Sequence, residues 1–271
     1  MMESQEKADV QARVNWPLFA ELRLAAGFLT ILPVLPAGTA DDRAVARSLR
    51  WFPLVGFAIG AFLCFEDAML ALFFRRALRS AIVMMSLAAI TGAVHVDGLA
   101  DTADALGAGR NRARALEILR DSRIGTFGAL AVVFLTVAKI LALAELRGSH
   151  RYTALWLAPG LARWAMVAVA WRLGYLRPQG AGRLLLDGRE PSALPIACAV
   201  ALAGAAPVFS THALLACIVA VAVAAVLRVF YRRWLGGVTG DLIGAAGEIV
   251  ELCVLVMMTA HGASLGRSPF I

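Results

Sequence analysis

Three aspartates, Asp97, Asp101 and Asp104, recur at i, i+4 and i+7 within HVDGLADTADALGAGRNRARALEILRDSRIGTFG, residues 95–128. On a helix this spacing stacks three carboxylates along one face, where they repel one another. A hard cation such as magnesium relieves that repulsion, because it takes oxygen ligands and commonly shares them with substrate phosphates. The alternative is a solvated acidic helix face, and the surroundings of the triplet decide between the two. The same stretch carries Arg110, Arg112, Arg114, Arg120 and Arg123, with Asp121 and Ser122 between the last two. Its closing LRDSRIGTFG offers cations, a hydroxyl and two glycines for close backbone approach, a mixture suited to phosphate oxygens.

Two further segments add chemistry. GGVTGDLIGAAGEIVE places Asp241 just after a Gly-rich turn, with Glu248 and Glu251 two and three turns further along roughly one helical face. Arg163, in APGLARWAM, lies in an apolar run, and a guanidinium cannot deprotonate to escape burial yet forks well onto phosphate. His95 directly precedes the acidic cluster and is open to two readings, a base or orienting group for the chemistry, or an interfacial hydrogen-bonding residue. GAGRNRA lacks the Gly-Lys-Ser/Thr ending of a phosphate-binding P-loop, and no GxSxG or HExxH occurs. Carboxylates for a metal and arginines for phosphates point to phosphoryl transfer, in which a protein mainly positions groups and neutralises charge.

The elements that must position these groups are membrane helices. Of 271 residues 60% are hydrophobic and 17% charged, and the mean hydropathy is +0.74, well outside the range of soluble domains. The expected fold is all-α, a polytopic integral membrane bundle forming a single domain over residues 1–271, with residues 1–15 a flexible tail and no secretory signal pattern. About seven spans are expected, near residues 51–74, 80–96, 126–146, 152–171, 193–209, 212–231 and 242–260. Residues 19–35 carry Glu21 and Arg23 and end in prolines, so an interfacial or re-entrant helix is expected there. Cys64, Cys198, Cys217 and Cys253 lie singly in apolar runs and read as small buried hydrophobes.

Charge then sets orientation. With seven spans, fifteen loop arginines fall on one side and six on the other, which puts the acidic stretch, the Arg177 loop and Asp241 on the cytoplasmic face. The net charge of +7 is spread over these loops and forms no basic module, so nucleic acid is not expected as a partner; the lipid bilayer and an anionic substrate are. Within the spans, Glu66, Asp67 and Lys139 are expected to pair structurally, for instance Lys139 with Asp67.

Taken together the motifs resemble one family. FLTILPVLP, RWFPLVGFAIG, HVDGLADTADALGAG, LEILRDSRIGTFG, LAPGLARWAM, YLRPQGAG and GGVTGDLIGAAGEIVE occur in the order found in the cobalamin synthase (adenosylcobinamide-GDP ribazoletransferase) family, over nearly the whole length. Ala105 departs from the glycine common there after the third aspartate. The resemblance implies a bacterial inner-membrane enzyme that joins adenosylcobinamide-GDP to alpha-ribazole or its phosphate, releasing GMP, with magnesium as the metal. The expected catalytic residues are Asp97, Asp101, Asp104, Arg123, Asp241 and His95, and the expected metal ligands are Asp97, Asp101, Asp104 and Asp121. Arg120, Asp121, Ser122, Arg163, Arg177 and Glu248 are expected to bind substrate, and a homo-oligomer is left open. Two alternatives stand beside it. CDP-alcohol phosphatidyltransferases run similar chemistry, but their motif has Arg where this chain has Asp101. A transporter would use Glu66, Asp67, Lys139, Glu248 and Glu251 as a path, whereas the densest charge here lies in loops.

Overall fold

The computed structural model describes residues 17–33, 42–109, 111–121, 123–177, 182, 183, 185 and 190–260. The expected N-terminal tail lies outside these residues, as do Arg110, Ser122 and Arg189. Helix α1 (Pro17–Leu29) is followed by α2 (Asp42–Ser48), which passes through a 3-10 turn at Leu49–Trp51 into α3 (Phe52–Leu70). Then come α4 (Arg76–Ile90), α5 (Val94–Leu106), the short α6 (Arg112–Ile118), α7 (Thr126–Glu145) and α8 (Gly148–Ala170). The chain closes with α9 (Ala193–Ala205), α10 (Thr211–Trp234) and α11 (Gly240–Thr259).

Each expected apolar span carries a helix, but the spans are unequal. Five stretches are long and apolar enough to cross a membrane: Arg43–Leu70, α7, α8, α10 and α11. The expected span at 80–96 is corrected: α4 and α5 meet at a 90° bend, so the pair counts as a sixth crossing only if a broken span is admitted. The bend arises at Gly92 and Ala93, both in the left-handed region with φ +60° and +53°. Such a pair ends a helix, and the strain at a residue with a Cβ persists only where tertiary contacts hold it. The end of α1 supplies them, for Ile31 donates its N–H to the Ile90 carbonyl (2.9 Å) and its side chain abuts Gly92. The seventh stretch, Ala193–Val208, is apolar but shorter.

With thirteen residues α1 is too short to span, as expected for residues 19–35. It is pinned by Glu21, which is buried and bound by Arg47 (2.9 Å), by Arg50 Nε (2.9 Å) and by the Trp51 indole N–H (3.0 Å).

Helix α8 is the axis of the bundle, packed by α3, α9, α10 and α11. Its closest neighbour is α3, where Gly56 and Gly60 form a GxxxG face. A Cβ at Gly56 would stand 2.4 Å from the Pro159 carbonyl, and one at Gly60 would stand 2.8 Å from those of Leu155 and Trp156. Small residues at this spacing let backbones touch, and in lipid such van der Waals contact replaces hydrophobic burial as the force between helices. Pro159, inside α8, lies at the contact. Phe57 fills the neighbouring gap against Trp156, ring centroids 5.2 Å apart, and Trp156 donates to the Gly204 carbonyl on α9 (2.7 Å). By contrast α7 and α10 turn apolar residues such as Phe134, Leu141, Ile218 and Val226 outward, as lipid-facing helices do.

Gly56→Val is expected to cost roughly 2–3 kcal/mol by overpacking the α3–α8 contact. Thermal unfolding in detergent measures this, and Gly174→Ala, where a Cβ meets nothing within 4 Å, is expected to leave the transition in place.

Candidate functional site

Helix α5 leaves the bend and runs antiparallel to the start of α11. A Cβ at Gly98 would stand 2.8 Å from the Asp241 carbonyl, and one at Gly244 would stand 3.2 Å from the His95 Cα. The two glycines let the acidic helix lie directly on the turn that presents Asp241. Asp97 is exposed and Asp101 half-buried on α5. The charge on Asp101 is coupled to those of Asp241, Asp97 and Asp104, with Arg177 as the opposing cation.

Asp241 is held from the other side. Thr239 caps α11, accepting from the Leu242 N–H (3.3 Å), and its hydroxyl donates to Asp241 Oδ2 (3.1 Å). Arg177 Nη2 donates to the same oxygen at 2.5 Å and also to the Leu119 carbonyl at the end of α6. The strap carrying Arg177 is fixed by a parallel bridge between Tyr175 and Val238, in which Leu176 N–H reaches the Val238 carbonyl and Val238 N–H the Gly174 carbonyl, both 2.9 Å. One patch therefore gathers Asp97, Asp101, Asp241 and Arg177 from α5, α11 and the strap. Three carboxylates face one guanidinium, a net negative site.

The other candidates fall elsewhere. Asp104 accepts N–H groups from Gly125 (2.7 Å, Oδ2) and Gly128 (2.8 Å, Oδ1) at the start of α7. It satisfies donors that the capping residue Gly125, with no side chain, cannot. Its carboxylate anchors α7, a contact that Asp97 and Asp101 do not share among the described residues. Asp121 also departs from the expected set, since it forms a bidentate pair with Arg123 (2.7 and 3.0 Å) and accepts that residue's N–H. The guanidinium beside it holds its carboxyl down to about 2. Arg123 is 87% exposed, and Arg120 with Arg114 and Arg123 lines a cavity of about 200 Å³ formed by α6 and the loop that follows it. These arginines form a rim able to meet phosphate oxygens. Ser122 lies outside the described residues.

Arg163, Glu248 and His95 lie deeper. Lys139 Nζ donates to Glu248 Oε2 (2.5 Å) and Glu251 Oε1 (2.7 Å), and Arg163 Nη1 donates to Glu251 Oε2 (2.7 Å). All four side chains are buried, in a neutral quartet linking α7, α8 and α11. Ten residues of helix separate Glu251 from Asp241, about 15 Å at 1.5 Å each, too far for Arg163 to share a phosphate with Asp241. His95 is buried on α5 and feels the charges of Arg163, Glu251 and Lys139, which makes it a core neighbour of this quartet. The expected Lys139–Asp67 pair is corrected. Asp67 is bound by Arg151 (2.5 and 2.9 Å) and Arg79 (2.9 Å), with Ser80 accepting from Arg151 (3.1 Å). Glu66 takes the Ser86 hydroxyl at 2.5 Å. Among the described residues these intramembrane charges fall into separate sets.

Among the described residues no three His, Cys, Asp or Glu side chains form a ready-made ion cage. Magnesium rarely uses one: it keeps one or two carboxylates and completes its shell from water and substrate phosphates. The exposed Asp97 with the partly buried Asp101 and Asp241 makes an oxygen-only set that has the donor chemistry for that mode.

The family described as CobS, cobalamin-5-phosphate synthase, matches residues 21–259. Similar curated proteins are named adenosylcobinamide-GDP ribazoletransferase. The one from Desulforamulus reducens is 34% identical over 89% of this chain and 96% of its own. That from Roseiflexus is 36% identical over 95% and 96%, and that from Escherichia coli 36% identical over 85% and 96%. No solved structure matches.

Breaking a buried charge set by removing one partner costs about 3–5 kcal/mol. Lys139→Met is accordingly expected to lower the unfolding temperature in detergent sharply. Adding Glu248→Gln is expected to recover part of the loss, as a coupling above about 1 kcal/mol in a double-mutant cycle.

Proposed function

The chain belongs to the cobalamin-5-phosphate synthase family, and on that premise we propose that it joins adenosylcobinamide-GDP to alpha-ribazole or its phosphate. A hydroxyl of the acceptor attacks the cobinamide-side phosphorus, the bond to GMP breaks, and a phosphodiester forms. The observation that carries this reading is the patch in which Asp97 and Asp101 on α5 meet Asp241 and Arg177 on the opposing elements.

Asp97, Asp101 and Asp241 would hold magnesium; when bound, the ion supplies charge neutralisation on the diphosphate and so a better leaving group. Arg120 and Arg123 stand at the rim, where exposed guanidinium forks meet the outer phosphate oxygens. Arg177 keeps Asp241 oriented and adds a cation to the same wall. Asp104 acts by anchoring the start of α7, and Arg163, Glu248 and His95 act by setting the helices on which the patch rests. In this proposal the metal-facing set is Asp97, Asp101 and Asp241, with Asp121 paired to Arg123.

The enzyme sits in the cytoplasmic membrane with the patch facing the cytoplasm, as the loop arginine bias supports. In a chain whose native cysteines are replaced, Ala113→Cys, exposed on α6, is expected to react with an impermeant maleimide in inside-out vesicles and not in intact cells. Reaction in intact cells would reverse the topology.

Asp101→Asn and Asp97→Ala are each expected to reduce GMP release from adenosylcobinamide-GDP by at least about a hundredfold, with the unfolding temperature unchanged. Such losses are typical when electrostatic stabilisation of a transferring phosphoryl group is removed. Chelation is expected to abolish release and magnesium to restore it. Normal release by both variants would remove the carboxylates from the chemistry.

A further inference from the structure

A cavity of about 540 Å³ lies beside the carboxylate patch, between the end of α8, the strap before Arg177 and the start of α9. Its volume falls in the roughly 300–1,000 Å³ range of small-molecule sites. Trp171, Arg172, Tyr175, Glu190 and Leu49 line it. Three features mark it as more than a packing gap. The Trp171 indole N–H is buried without a hydrogen-bond partner, a donor that costs stability until an acceptor arrives. The Arg172 guanidinium stacks over the Trp171 ring, 4.3 Å from its centroid, leaving a flat cationic and aromatic wall. Glu190 is fixed at the mouth by Ser192, whose N–H (3.3 Å) and hydroxyl (2.5 Å) both reach Oε1, while Oε2 has no hydrogen bond among the described residues.

Tyr175 joins this cavity to the patch. Its hydroxyl lies beside Gly240, the residue next to Asp241, and feels the charges of Arg177 and Asp241. A diphosphate held at the patch therefore has the cavity at its shoulder, across one side chain.

We propose that the cavity receives the guanine ring of the nucleotide that leaves. This rests on the transferase reading and extends it to base recognition. Guanine presents two adjacent N–H donors, N1 and the 2-amino group, and beside them the O6 acceptor. A carboxylate pairs with the two donors and an indole N–H with O6. Adenine presents a lone pair at N1, which a carboxylate repels, so the same groups exclude it. Base stacking on the wall of Trp171 and Arg172 adds sequence-tolerant attraction. The acceptor's apolar bicyclic base offers no pair of donors for Glu190.

The test uses the full chain in nanodiscs and equilibrium dialysis of GDP, IDP and ADP, with Glu190→Gln and Trp171→Phe as variants and unfolding temperature as the control for folding. The wild type is expected to prefer GDP over ADP by at least about tenfold, with IDP between them because it lacks the 2-amino group. Glu190→Gln is expected to bring GDP and ADP to near parity, and Trp171→Phe, which keeps the ring and loses the donor, to weaken GDP several-fold. Retention of the full GDP preference by both folded variants overturns the proposal, as does a raised KM for ribazole with GDP binding unchanged. Because dialysis needs no turnover, the two readings fail separately. A chain that binds GDP through Glu190 but releases no GMP keeps the base site and loses the reaction, and one that releases GMP with variants indifferent to the base does the reverse.

Discussion

Every ionisable group inside hydrocarbon needs a partner, and the partner must come from another helix. The Lys139, Glu248, Glu251 and Arg163 quartet meets this requirement at the centre of the bundle and, in doing so, sets α7, α8 and α11 against one another. Charges two and two cancel, so no net charge is left in the low-dielectric interior, where an unpaired ion is costly. The same logic ties Asp67 to Arg151 and Arg79, linking α3, α4 and α8, and Glu21 to Arg47 and Arg50, which docks α1. Three ion clusters, each closed on itself, hold a scaffold whose remaining contacts are mostly small apolar side chains.

Upon this scaffold the carboxylate patch is assembled from segments far apart in the chain. Two devices bring them together. Glycines at 98 and 244 remove the side chains that would keep α5 from α11, and the short bridge between Tyr175 and Val238 lines up the Arg177 strap with the cap of α11. The patch itself is costly to build, since like charges converge in it. The surrounding structure must hold that cost, a usual relation between scaffold and functional site.

Much of this was readable in the residues. The apolar runs carry helices, the aspartates at 97 and 101 share a face with access to solvent, and Asp241 joins them although 140 residues separate it from Asp101. What escaped sequence reasoning was partner choice. Lys139 is the chain's only lysine outside the N-terminal tail, and two carboxylates three residues apart on one helix face were its natural complement, yet periodicity gives no distance between helices. The break at Gly92 and Ala93 lies in an apolar run with one glycine to announce it. Asp104 is the instructive case: its spacing equals that of its neighbours, but the start of α7 lacks a capping side chain of its own, and Asp104 is in reach. Asp121 and Arg123 satisfied each other for the plainest reason, being two residues apart in an exposed loop.

The contact of Gly98 with the Asp241 backbone also sets a distance. Where two helices touch main chain to main chain, nothing can pass between them, and the Gly244 contact with His95 closes the next turn inward. The seam is therefore set by main chain alone, and a side chain at either glycine would push α5 off the cap of α11. Asp97 and Asp101 would then be carried away from Asp241, so the width of this seam fixes how closely carboxylates from two distant segments approach one another.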